Sequence, residues 1–509
     1  MLARAHTFTV DGLDTRHVTV EVDVRPGLPA FAVVGLADTA VREARDRVRA
    51  AILNSGFQFP ACRITANLAP ADVPKAGPGL DLALACAVLA ASGQLPPERL
   101  DSHALLGELA LDGSVRASGS TLAVARATRQ AGLSTLALAG TRAHEAALVE
   151  GLQIAVVERL QSAARVLRGG APDPAPERPA RRAETDSSSR PPDLDEVRGQ
   201  HLAIRALVIA AAGGHNLLLS GAPGTGKTML ARRLPSLLPA LDTEEALEVT
   251  QLRGLAGSRA DGLAEQRPFR APHHSITAAG LVGGSQRGAV GEAVLAHRGV
   301  LFLDEISEFA RSTLEALRQP LEEGRVVIAR ARGCDVYPAR FMLIAATNPC
   351  ACGYAGEAER CACSEAELTR HRRRLSGPLL DRMDLFASLG RAGAAGIDAA
   401  PLTSSSAARA RVAEARERQR ARQRGDHTAS NAQLDARTLL LHAAPDERAQ
   451  QLLRRAGESG LLSARAQQRV LRVARTIADL DSSSHVRARD VGAALALRPG
   501  ATAAGIHAR

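Results

Sequence analysis

The 509-residue sequence predicts a multidomain protein of the α/β class. An alternating segment at His17–Val24 is typical of a half-buried strand. Short apolar runs at Asn216–Ser220, Val300–Leu303 and Phe341–Ala346 end in turn or polar residues, as buried parallel strands do. Helical patterns dominate from about Ser404 onward. Their order predicts an α+β block, a core with a parallel sheet, and a helical carboxyl-terminal block.

Four segments follow from these patterns. The first predicted domain covers residues 1–168 and adds helical patterns at Asp38–Asn54 and Leu80–Ala91 to the early strand. Residues 169–192 are rich in Pro, Ser and charge and cannot bury enough apolar surface to order themselves, so they predict a flexible linker. The core then spans 193–390, and the helical block spans 391–509.

The amino-acid composition gives only weak information about the binding partners of the protein. Lys and Arg number 64 against 54 Asp and Glu, and the resulting charge of +10 suits a phosphate-rich partner or simply a mildly basic, solvated surface. Aromatic residues make up 2% of the chain, which argues against base stacking as a main mode of nucleic-acid binding.

No export signal or membrane-spanning stretch is recognisable. Charged residues follow the first residues where a signal peptide would have an apolar stretch, and the longest apolar run, around Ala206–Ala212, is too short to span a bilayer. Seven cysteines in such a chain predict reduced thiols or metal ligands. We therefore expect a cytoplasmic protein with no membrane partner.

A phosphate-binding loop is the strongest motif. Residues 221–228 fit G-x-x-x-x-G-K-[ST] in full, after a predicted strand and before a helical run at Thr228–Leu238. The backbone N–H groups of such a loop surround phosphates, and the helix amino terminus adds positive partial charge. Lys227 should contact the β- and γ-phosphates of ATP, and Thr228 should hold Mg²⁺. The predicted nucleotide-binding residues are Gly221, Ala222, Pro223, Gly224, Thr225, Gly226, Lys227 and Thr228.

Two carboxylates follow the apolar run Val300–Leu303, an arrangement typical of a Walker B strand. Asp304 would orient the Mg²⁺ shell, and Glu305 would orient and polarise the attacking water. An apolar run that ends in Asp-Glu is usually an ordinary strand end, but the upstream phosphate-binding loop makes it a strong signal.

Asn348 ends the next apolar strand and is followed by Pro349. Its side chain can hydrogen-bond the γ-phosphate or the attacking water between the two preceding elements. An Asn before Pro is also common in an ordinary turn. The position after the Walker B strand favours the functional interpretation.

Four cysteines follow Asn348 as two C-x-C pairs, namely Cys350, Cys352, Cys361 and Cys363. They could close a tetrahedral Zn²⁺ site, although the usual spacing is C-x₂-C. The alternative is four reduced thiols in a loop.

Five segments together resemble the ComM/YifB family of magnesium-chelatase-like AAA+ ATPases, and the resemblance covers nearly the whole chain. They are Phe269–Thr277, Gly299–Glu305, Asn348–Gly353, Ser376–Asp384 and Ser463–Arg465. The resemblance implies a P-loop core with a carboxyl-terminal helical lid. It also implies assembly into a ring, usually a hexamer, with ATP at the interfaces between subunits.

The same resemblance assigns roles to two arginines. Arg382 matches the arginine that reaches the γ-phosphate of a neighbouring subunit, and Arg465 resembles the sensor-2 arginine of the lid, beside the nucleotide. An Arg fork matches phosphate oxygens, and an arginine finger can contribute roughly 10³–10⁵ in rate. A surface or interface salt bridge is the alternative for either residue, and Arg374 competes with Arg382 for the finger.

Two basic elements bear on the substrate. Glu323–Arg340 predicts a hairpin with its turn at residues 332–335, and in similar ATPases an insert at this point projects into the ring pore. Arg330 and Arg332 would then face a nucleic-acid backbone. A solvated loop with no nucleic-acid contact is an equally good interpretation of the same residues. Ala407–Arg424 holds seven Arg and two Glu and suits either DNA phosphates or a solvated helix.

The amino-terminal block resembles a Lon-protease-like domain, of the ribosomal S5 domain 2-like fold, without its peptidase residues. Pro74–Gly79 resembles the nucleophile turn of that fold, with Gly79 in the place of the Ser, and Gly107–Gly113 also resembles it. Ser114–Ala131 contains no Lys to serve as a base. Without nucleophile or base, covalent catalysis fails.

Three functions remain to be weighed. The family resemblance favours a DNA-directed motor, a helicase for branch migration in natural transformation and homologous recombination. A chelatase-like ATPase that remodels a protein partner is the alternative. An ATP-dependent protease is disfavoured because Gly79 has no side chain to attack a carbonyl.

Overall fold

The computed structural model describes residues 1–11, 14–35, 39–71, 75, 78–118, 120–175, 192–256, 262–284, 290–330, 333–355, 360–374, 377–391, 400–423, 430–459 and 462–498. The chain divides into two compact units. The first comprises Met1–Thr185, Ala246–Ala264 and Arg330–Val336, and the second comprises Asp186–Glu245, Glu265–Ala329 and Tyr337–Arg509.

The first unit is a mixed α/β unit. Its strands are β1 (Leu2–Asp11), β2 (Asp14–Arg25), β3 (Ala30–Val34), β4 (Arg63–Ala69), β5 (His103–Leu106), β6 (Glu108–Leu109), β7 (Val115–Arg116), β8 (Thr135–Leu138) and β9 (Gln153–Val156). Its helices are α1 (Thr39–Asn54), α2 (Asp81–Ala91), α3 (Thr121–Gln130), α4 (Ala143–Ala146) and α5 (Leu160–Leu167).

A seven-stranded sheet in the order β3-β4-β2-β1-β5-β8-β9 organises this unit. The long hairpin of β1 and β2 is antiparallel, whereas β5, β8 and β9 run parallel. Helix α2 is built almost entirely from Ala, Leu and Val, and all of its residues are buried. A helix that is apolar all round belongs in a core, and α2 packs against β1 and β2.

The predicted linker lies largely outside the described residues, which resume at residue 192. The described part before it, residues 169–175, continues the first unit. Asp173 accepts a hydrogen bond from the backbone N–H of Glu158 at 2.8 Å, and it forms an ion pair with Arg165.

The second unit begins with a parallel sheet and its helices. Its strands are β10 (Leu217–Gly221), β11 (Phe269–Arg270), β12 (Val300–Leu303), β13 (Arg325–Arg330), β15 (Met342–Thr347) and β16 (Leu385–Leu389), whereas β14 (Gly333–Pro338) falls mostly in the first unit. Its helices here are α6 (His201–Gly213), α7 (Lys227–Ala231), α8 (Leu234–Leu237), α10 (Ala278–Val282), α11 (Glu292–Leu295), α12 (Arg311–Ala316), α13 (Arg318–Glu323), α14 (Glu365–Arg374) and α15 (Gly377–Leu380), whereas α9 (Thr243–Leu255) falls mostly in the first unit.

Five of these strands form one parallel sheet in the order β11-β12-β15-β10-β16. All residues of β12 and β15 are buried, as expected for strands covered on both faces. The sheet order places β15 between β10 and β12, so the chain segments that follow these three strands emerge side by side at the carboxyl edge.

The helical run predicted at Thr228–Leu238 is interrupted. Helix α7 ends at Ala231, and α8 begins at Leu234. Pro235 explains the break, because it has no N–H to donate to Ala231 and its ring would clash with that carbonyl.

The carboxyl-terminal block is helical, as the sequence predicts. It contains α16 (Ser405–Arg422), α17 (Ala436–Ala443), α18 (Glu447–Glu458), α19 (Ala464–Leu480) and α20 (Ala488–Ala496). Buried side chains of α16 and α19 share one core with α6, β10 and β16. Among the described residues, no helix is both long and apolar enough to cross a membrane.

A buried polar network also joins these helices to the sheet. The His215 ring, fully buried before β10, lies 2.8 Å from the Thr476 hydroxyl of α19 and 3.4 Å from the Asp384 carboxylate before β16. Asn431 donates to Thr476 at 3.1 Å and to Asp479 at 2.8 Å. Asp479 also accepts from Arg475 at 2.9 Å, so the buried charge is compensated.

Candidate nucleotide site

The phosphate-binding loop joins β10 to α7, as its motif requires. Gly224 and Gly226 adopt φ values of +77° and +91°, a region that a residue with a Cβ atom rarely adopts. The Thr225 hydroxyl donates to the carbonyl of Ala222 at 2.9 Å and closes the turn. The glycines of the motif are therefore needed for the backbone path.

Lys227, at the first position of α7, is buried at the centre of the site. Its ammonium group donates to the carbonyl oxygens of Gly221 at 2.7 Å and Ala222 at 3.0 Å. Burial lowers the pKa of Lys227, and the negative charges of Asp304 and Glu305 oppose that shift. The cation is thus held by the loop and faces the acidic end of β12.

The Mg²⁺ residues predicted from sequence meet directly. The Thr228 hydroxyl donates to a carboxylate oxygen of Asp304 at 2.7 Å. A hydroxyl and a carboxylate at this separation are the hard oxygen ligands that Mg²⁺ prefers. Glu305 follows at φ +50°, and its backbone N–H bonds to Asp304 at 3.0 Å. A non-glycine residue in that region marks a strained turn of the kind found at functional sites.

Asn348 lies where β15 ends, between the other two elements. Its side-chain oxygen accepts a hydrogen bond from Lys227 at 3.1 Å. The structure therefore brings Lys227, Thr228, Asp304 and Asn348 together, with Glu305 adjoining Asp304 in the chain. The donors fit a triphosphate and the oxygens fit its Mg²⁺, so the arrangement can bind a Mg-nucleotide and present Glu305 as a base.

Arg382 lies at the other edge of the sheet. Asn216, just before β10, donates from its side chain to the Arg382 carbonyl at 3.0 Å and from its backbone to Asp384 at 3.2 Å. The Arg382 side chain is 12% exposed and forms an ion pair with Glu322. The five residues of β10 separate this edge from the phosphate-binding loop by about 15 Å.

Arg465 is near Arg382 and not at the phosphate-binding loop of its own chain. Both arginines line a cleft of about 610 Å³, together with Glu322, Arg469 and Arg472. The expectation that Arg465 lies beside the nucleotide therefore does not hold within one chain. The physical reason is the position of α19, which packs against α6 and joins the network at the amino edge of the sheet.

Arg374, the competing finger, ends α14 and pairs with Glu308 at 2.9 Å. Both side chains are about half exposed. The arginine lies just beyond the Walker B strand, in the region of its own chain's carboxylates.

The predicted hairpin forms, but its second strand begins earlier than predicted. Strands β13 and β14 pair, and β14 already begins at Gly333, so the turn predicted at residues 332–335 is misplaced. Asp335 is buried within β14, which a solvated turn would not allow. Arg332 and the side chain of Arg330 lie outside the described residues.

The basic helix α16 uses much of its charge within the protein. Arg416 donates to the carbonyl of Ala211 at 3.0 Å, and Gln419 does the same for Ala212 at 2.9 Å, which satisfies carbonyls at the end of α6. Arg422 forms two bonds of 2.6 Å to Asp479. Arg409 donates to Ser236 at 2.6 Å. These arginines therefore satisfy internal acceptors, unlike the exposed Arg411.

The four clustered cysteines converge directly after Asn348. Each offers a sulfur, and these sulfurs all lie within 4.8 Å of one another. A backbone hydrogen bond from Tyr354, with one from the Cys350 thiol, lowers the pKa of Cys352 to about 6. The thiolate is the form of a cysteine that binds metals.

Two residues that position the site carry no signal in the sequence. Asn216 also accepts from the backbone of Leu343 at 2.8 Å and so ties β15 to the start of β10. The His371 ring lies 3.0 Å from the carbonyl oxygen of Asn348. Neither residue belongs to a recognisable motif, because each acts through a contact distant in sequence.

The comparisons with known proteins agree with this arrangement. Family models described as "Magnesium chelatase, subunit ChlI", "Subunit ChlI of Mg-chelatase" and "Magnesium chelatase, subunit ChlI C-terminal" match residues 193–395, 20–141 and 402–498. The YifB protein of Escherichia coli is 43% identical over 98% of this chain and 97% of its own length. The chain belongs to the ComM/YifB family of magnesium-chelatase-like AAA+ proteins.

Other relatives of this ComM/YifB chain bear functional names. The competence protein ComM of Haemophilus influenzae is 40% identical over 96% of this chain and 95% of its own length. The magnesium-chelatase 67 kDa subunit of Chlorobaculum parvum is 28% identical over 30% of this chain and 23% of its own length. Family membership indicates ATP and Mg²⁺ as cofactors and ATP hydrolysis as the activity.

Proposed function

We propose that this chain hydrolyses ATP in a ring assembly and uses the energy to move along DNA. The observation that carries the proposal is a pair of hydrogen bonds at the end of the parallel sheet, from Lys227 to Asn348 at 3.1 Å and from Thr228 to Asp304 at 2.7 Å. In that geometry Lys227 would neutralise the β- and γ-phosphates of ATP, and Thr228 and Asp304 would hold Mg²⁺, which would supply charge neutralisation on the phosphate oxygens. Glu305 orients the water.

The rest of the proposed mechanism requires assembly into a ring, with a hexamer as its expected size. Arg382 and Arg465 lie one strand length from the phosphate-binding loop, so neither reaches the nucleotide of its own chain. A neighbouring copy would bring both arginines to that nucleotide. Light scattering of the purified chain with and without a slowly hydrolysed ATP analogue tests the assembly, and a monomer under both conditions contradicts it.

DNA is the proposed substrate because of the relation to a competence protein and the net charge of +10. The hairpin of β13 and β14, with Arg325 beside its base, is the proposed contact. Helix α16 contributes less, since Arg409, Arg416 and Arg422 already bind internal acceptors.

The test is a panel of DNA structures, with ATP turnover and strand displacement measured side by side. We expect branched DNA to stimulate turnover more than linear duplex, and binding to weaken steeply with salt, as phosphate contacts do. The Lys227→Ala variant controls for a contaminating ATPase. Absence of both stimulation and salt-dependent binding would exclude the DNA-directed motor.

The alternative is a chelatase-like ATPase that remodels a protein partner, which the match to magnesium-chelatase family models favours. A defined protein complex whose addition stimulates turnover, where DNA does not, would support this alternative. The two functions share the nucleotide site and differ only in what stimulates it.

The first unit is proposed to be a Lon-like domain without peptidase activity. Gly79 is buried, and a Cβ atom there would lie 3.0 Å from the Ser118 hydroxyl, so the position leaves little room for a nucleophilic side chain. The buried Lys75 donates to the Pro70 carbonyl. Casein cleavage by the purified chain would contradict this assignment.

A further inference from the structure

The four-cysteine cluster has the dimensions of a mononuclear metal site. The sulfur of Cys350 lies 3.3 Å from that of Cys352 and 3.9 Å from that of Cys361, and the sulfurs of Cys352 and Cys361 are 3.8 Å apart. A tetrahedral Zn²⁺ with Zn–S bonds of about 2.3 Å requires sulfurs about 3.8 Å apart. The described thiols therefore surround a space that suits one ion.

The chemistry of the cluster is equally specific. A site of four sulfur ligands selects Zn²⁺ or an iron–sulfur centre over Mg²⁺ or Ca²⁺. Sulfurs that all lie within 4.8 Å of one another leave room for a single ion rather than for a cluster of several irons. Disulfide pairing is the competing fate of such thiols.

One end of the cysteine segment is joined to the nucleotide site. Cys350 is buried, and it lies two residues after Asn348. Gly353, at φ +87°, packs against Pro223 of the phosphate-binding loop so closely that a Cβ atom would lie 2.6 Å from the proline ring. The segment thus contacts the loop and continues the strand that ends in Asn348.

The other end returns to the same asparagine. Helix α14 begins two residues after Cys363, and Ser364 caps it by bonding to the backbone N–H of Glu367 at 3.3 Å. From this helix, the His371 ring reaches the Asn348 carbonyl oxygen at 3.0 Å. A metal ion that joins the two cysteine pairs would therefore connect the two parts of the chain that contact Asn348 and its neighbours.

We propose that Cys350, Cys352, Cys361 and Cys363 bind one Zn²⁺ ion, and that this ion holds Asn348 and Pro223 in position for ATP hydrolysis. The ion touches neither nucleotide nor water and acts through these two residues. The cysteines are positioning residues, and any thiol protons are released to solvent on binding. The coupling rests on the proposed ATPase activity, whereas metal binding does not.

Metal content tests the site without any activity measurement. Elemental analysis of the full-length chain is expected to give about one zinc per chain. Cobalt substitution is expected to give the charge-transfer and visible bands of tetrahedral thiolate coordination. Cys361→Ser should lose the metal, whereas Cys62→Ser, a matched change at a free thiol of the first unit, should retain it. A metal-free chain with disulfides among the four cysteines would overturn the site.

Kinetics of the same variants test the coupling. We expect Cys361→Ser to lower the turnover number about 10- to 100-fold, the usual range for a residue that positions a functional group. The apparent affinity for ATP should change less, because Lys227 and Thr228 remain in place. Cys361→His, which restores a zinc ligand, should recover both metal and rate.

Two outcomes separate the parts of the proposal. A zinc-free Cys361→Ser variant that hydrolyses ATP at the wild-type rate would overturn the coupling. Loss of rate in a Cys361→His variant that holds zinc and melts at the wild-type temperature would overturn it as well. If the wild-type chain binds zinc but hydrolyses no ATP, the proposed function fails while the metal site stands.

Discussion

The two ends of the five-stranded sheet differ in chemistry as well as in position. The carboxyl edge holds a glycine-bounded loop, a lysine and two carboxylates, whereas the amino edge holds Arg382 and Arg465 in an open cleft. Because all five strands run in one direction, the two sets are fixed about one strand length apart. One chain thus has both sets of residues and cannot bring them to the same phosphate.

The largest expected effect belongs to the carboxyl edge. Lys227→Ala should abolish nucleotide binding and turnover, because it removes the cation that the phosphates contact. Binding of a fluorescent ATP analogue and release of phosphate measure both. The exposed Arg232→Ala, on the residue after α7, removes the same charge nearby and should leave binding intact. Wild-type turnover in Lys227→Ala would refute the site assignment.

Substitution of the arginine at the amino edge should impair hydrolysis without impairing nucleotide binding. Arg382→Ala should keep nucleotide binding and lose roughly 10³–10⁵ in turnover, as removal of an arginine finger does. Arg374→Ala is the matched control, because Arg374 pairs with Glu308 just beyond the Walker B strand, at the carboxyl edge of the sheet. A greater loss in Arg374→Ala would transfer the finger assignment to that residue.

Mixing the two inactive variants sharpens the comparison. In a mixed ring, some interfaces place the intact phosphate-binding loop of an Arg382→Ala subunit against the intact Arg382 of a Lys227→Ala subunit. Such an interface contains all the residues proposed for hydrolysis. We therefore expect the mixture to regain a fraction of wild-type turnover that either variant alone lacks. If the mixture stays inactive although the two variants co-assemble, the two edges do not complete one another.

Glu305→Gln should separate binding from chemistry within the carboxyl edge. The variant keeps the hydrogen-bonding shape and loses the base, so ATP should remain bound while hydrolysis falls by about 10²–10⁴. Single-turnover measurement with radiolabelled ATP distinguishes the two steps. Unchanged hydrolysis would remove Glu305 from the mechanism.

The smallest effect concerns the ion pair at the amino edge. Glu322→Gln removes one ion-pair partner of Arg382, and Glu322 is 57% exposed. Exposed pairs contribute about 0–1 kcal/mol, so loss of this pair should raise turnover at most about fivefold. Steady-state kinetics at low and high salt provide the measurement. A large loss of rate would mean that Glu322 orients Arg382 rather than restrains it.

The residues of the carboxyl edge were predictable because each of them belongs to a local sequence pattern. Gly221–Thr228 form one motif, and the apolar runs before Asp304 and Asn348 indicate buried strands. The sheet order that places β15 between β10 and β12 has no such local signal, since it depends on pairing between distant segments. The residues of the site and their convergence could therefore be predicted from sequence, whereas the strand order that brings them together could not.

The amino edge shows where sequence reasoning fails. Arg465 was expected beside the nucleotide, but the packing of α19 places it in the cleft at the amino edge that Arg382 also lines. The arginines of α16 suggested DNA phosphates because composition does not reveal that the end of α6 leaves carbonyls to be satisfied. Long polar side chains take their role from neighbours that are remote in the chain.

The buried hydrogen-bond network around His215 connects the two arginine-bearing segments at the amino edge. Asp384 lies two residues from Arg382, and Thr476 belongs to the helix that carries Arg465. Tilting α19 away from the sheet would strand buried donors and acceptors, at about 1–3 kcal/mol for each one left unsatisfied. Buried hydrogen bonds therefore link the segment that carries Arg382 to the helix that carries Arg465, so we expect the two arginines to move together.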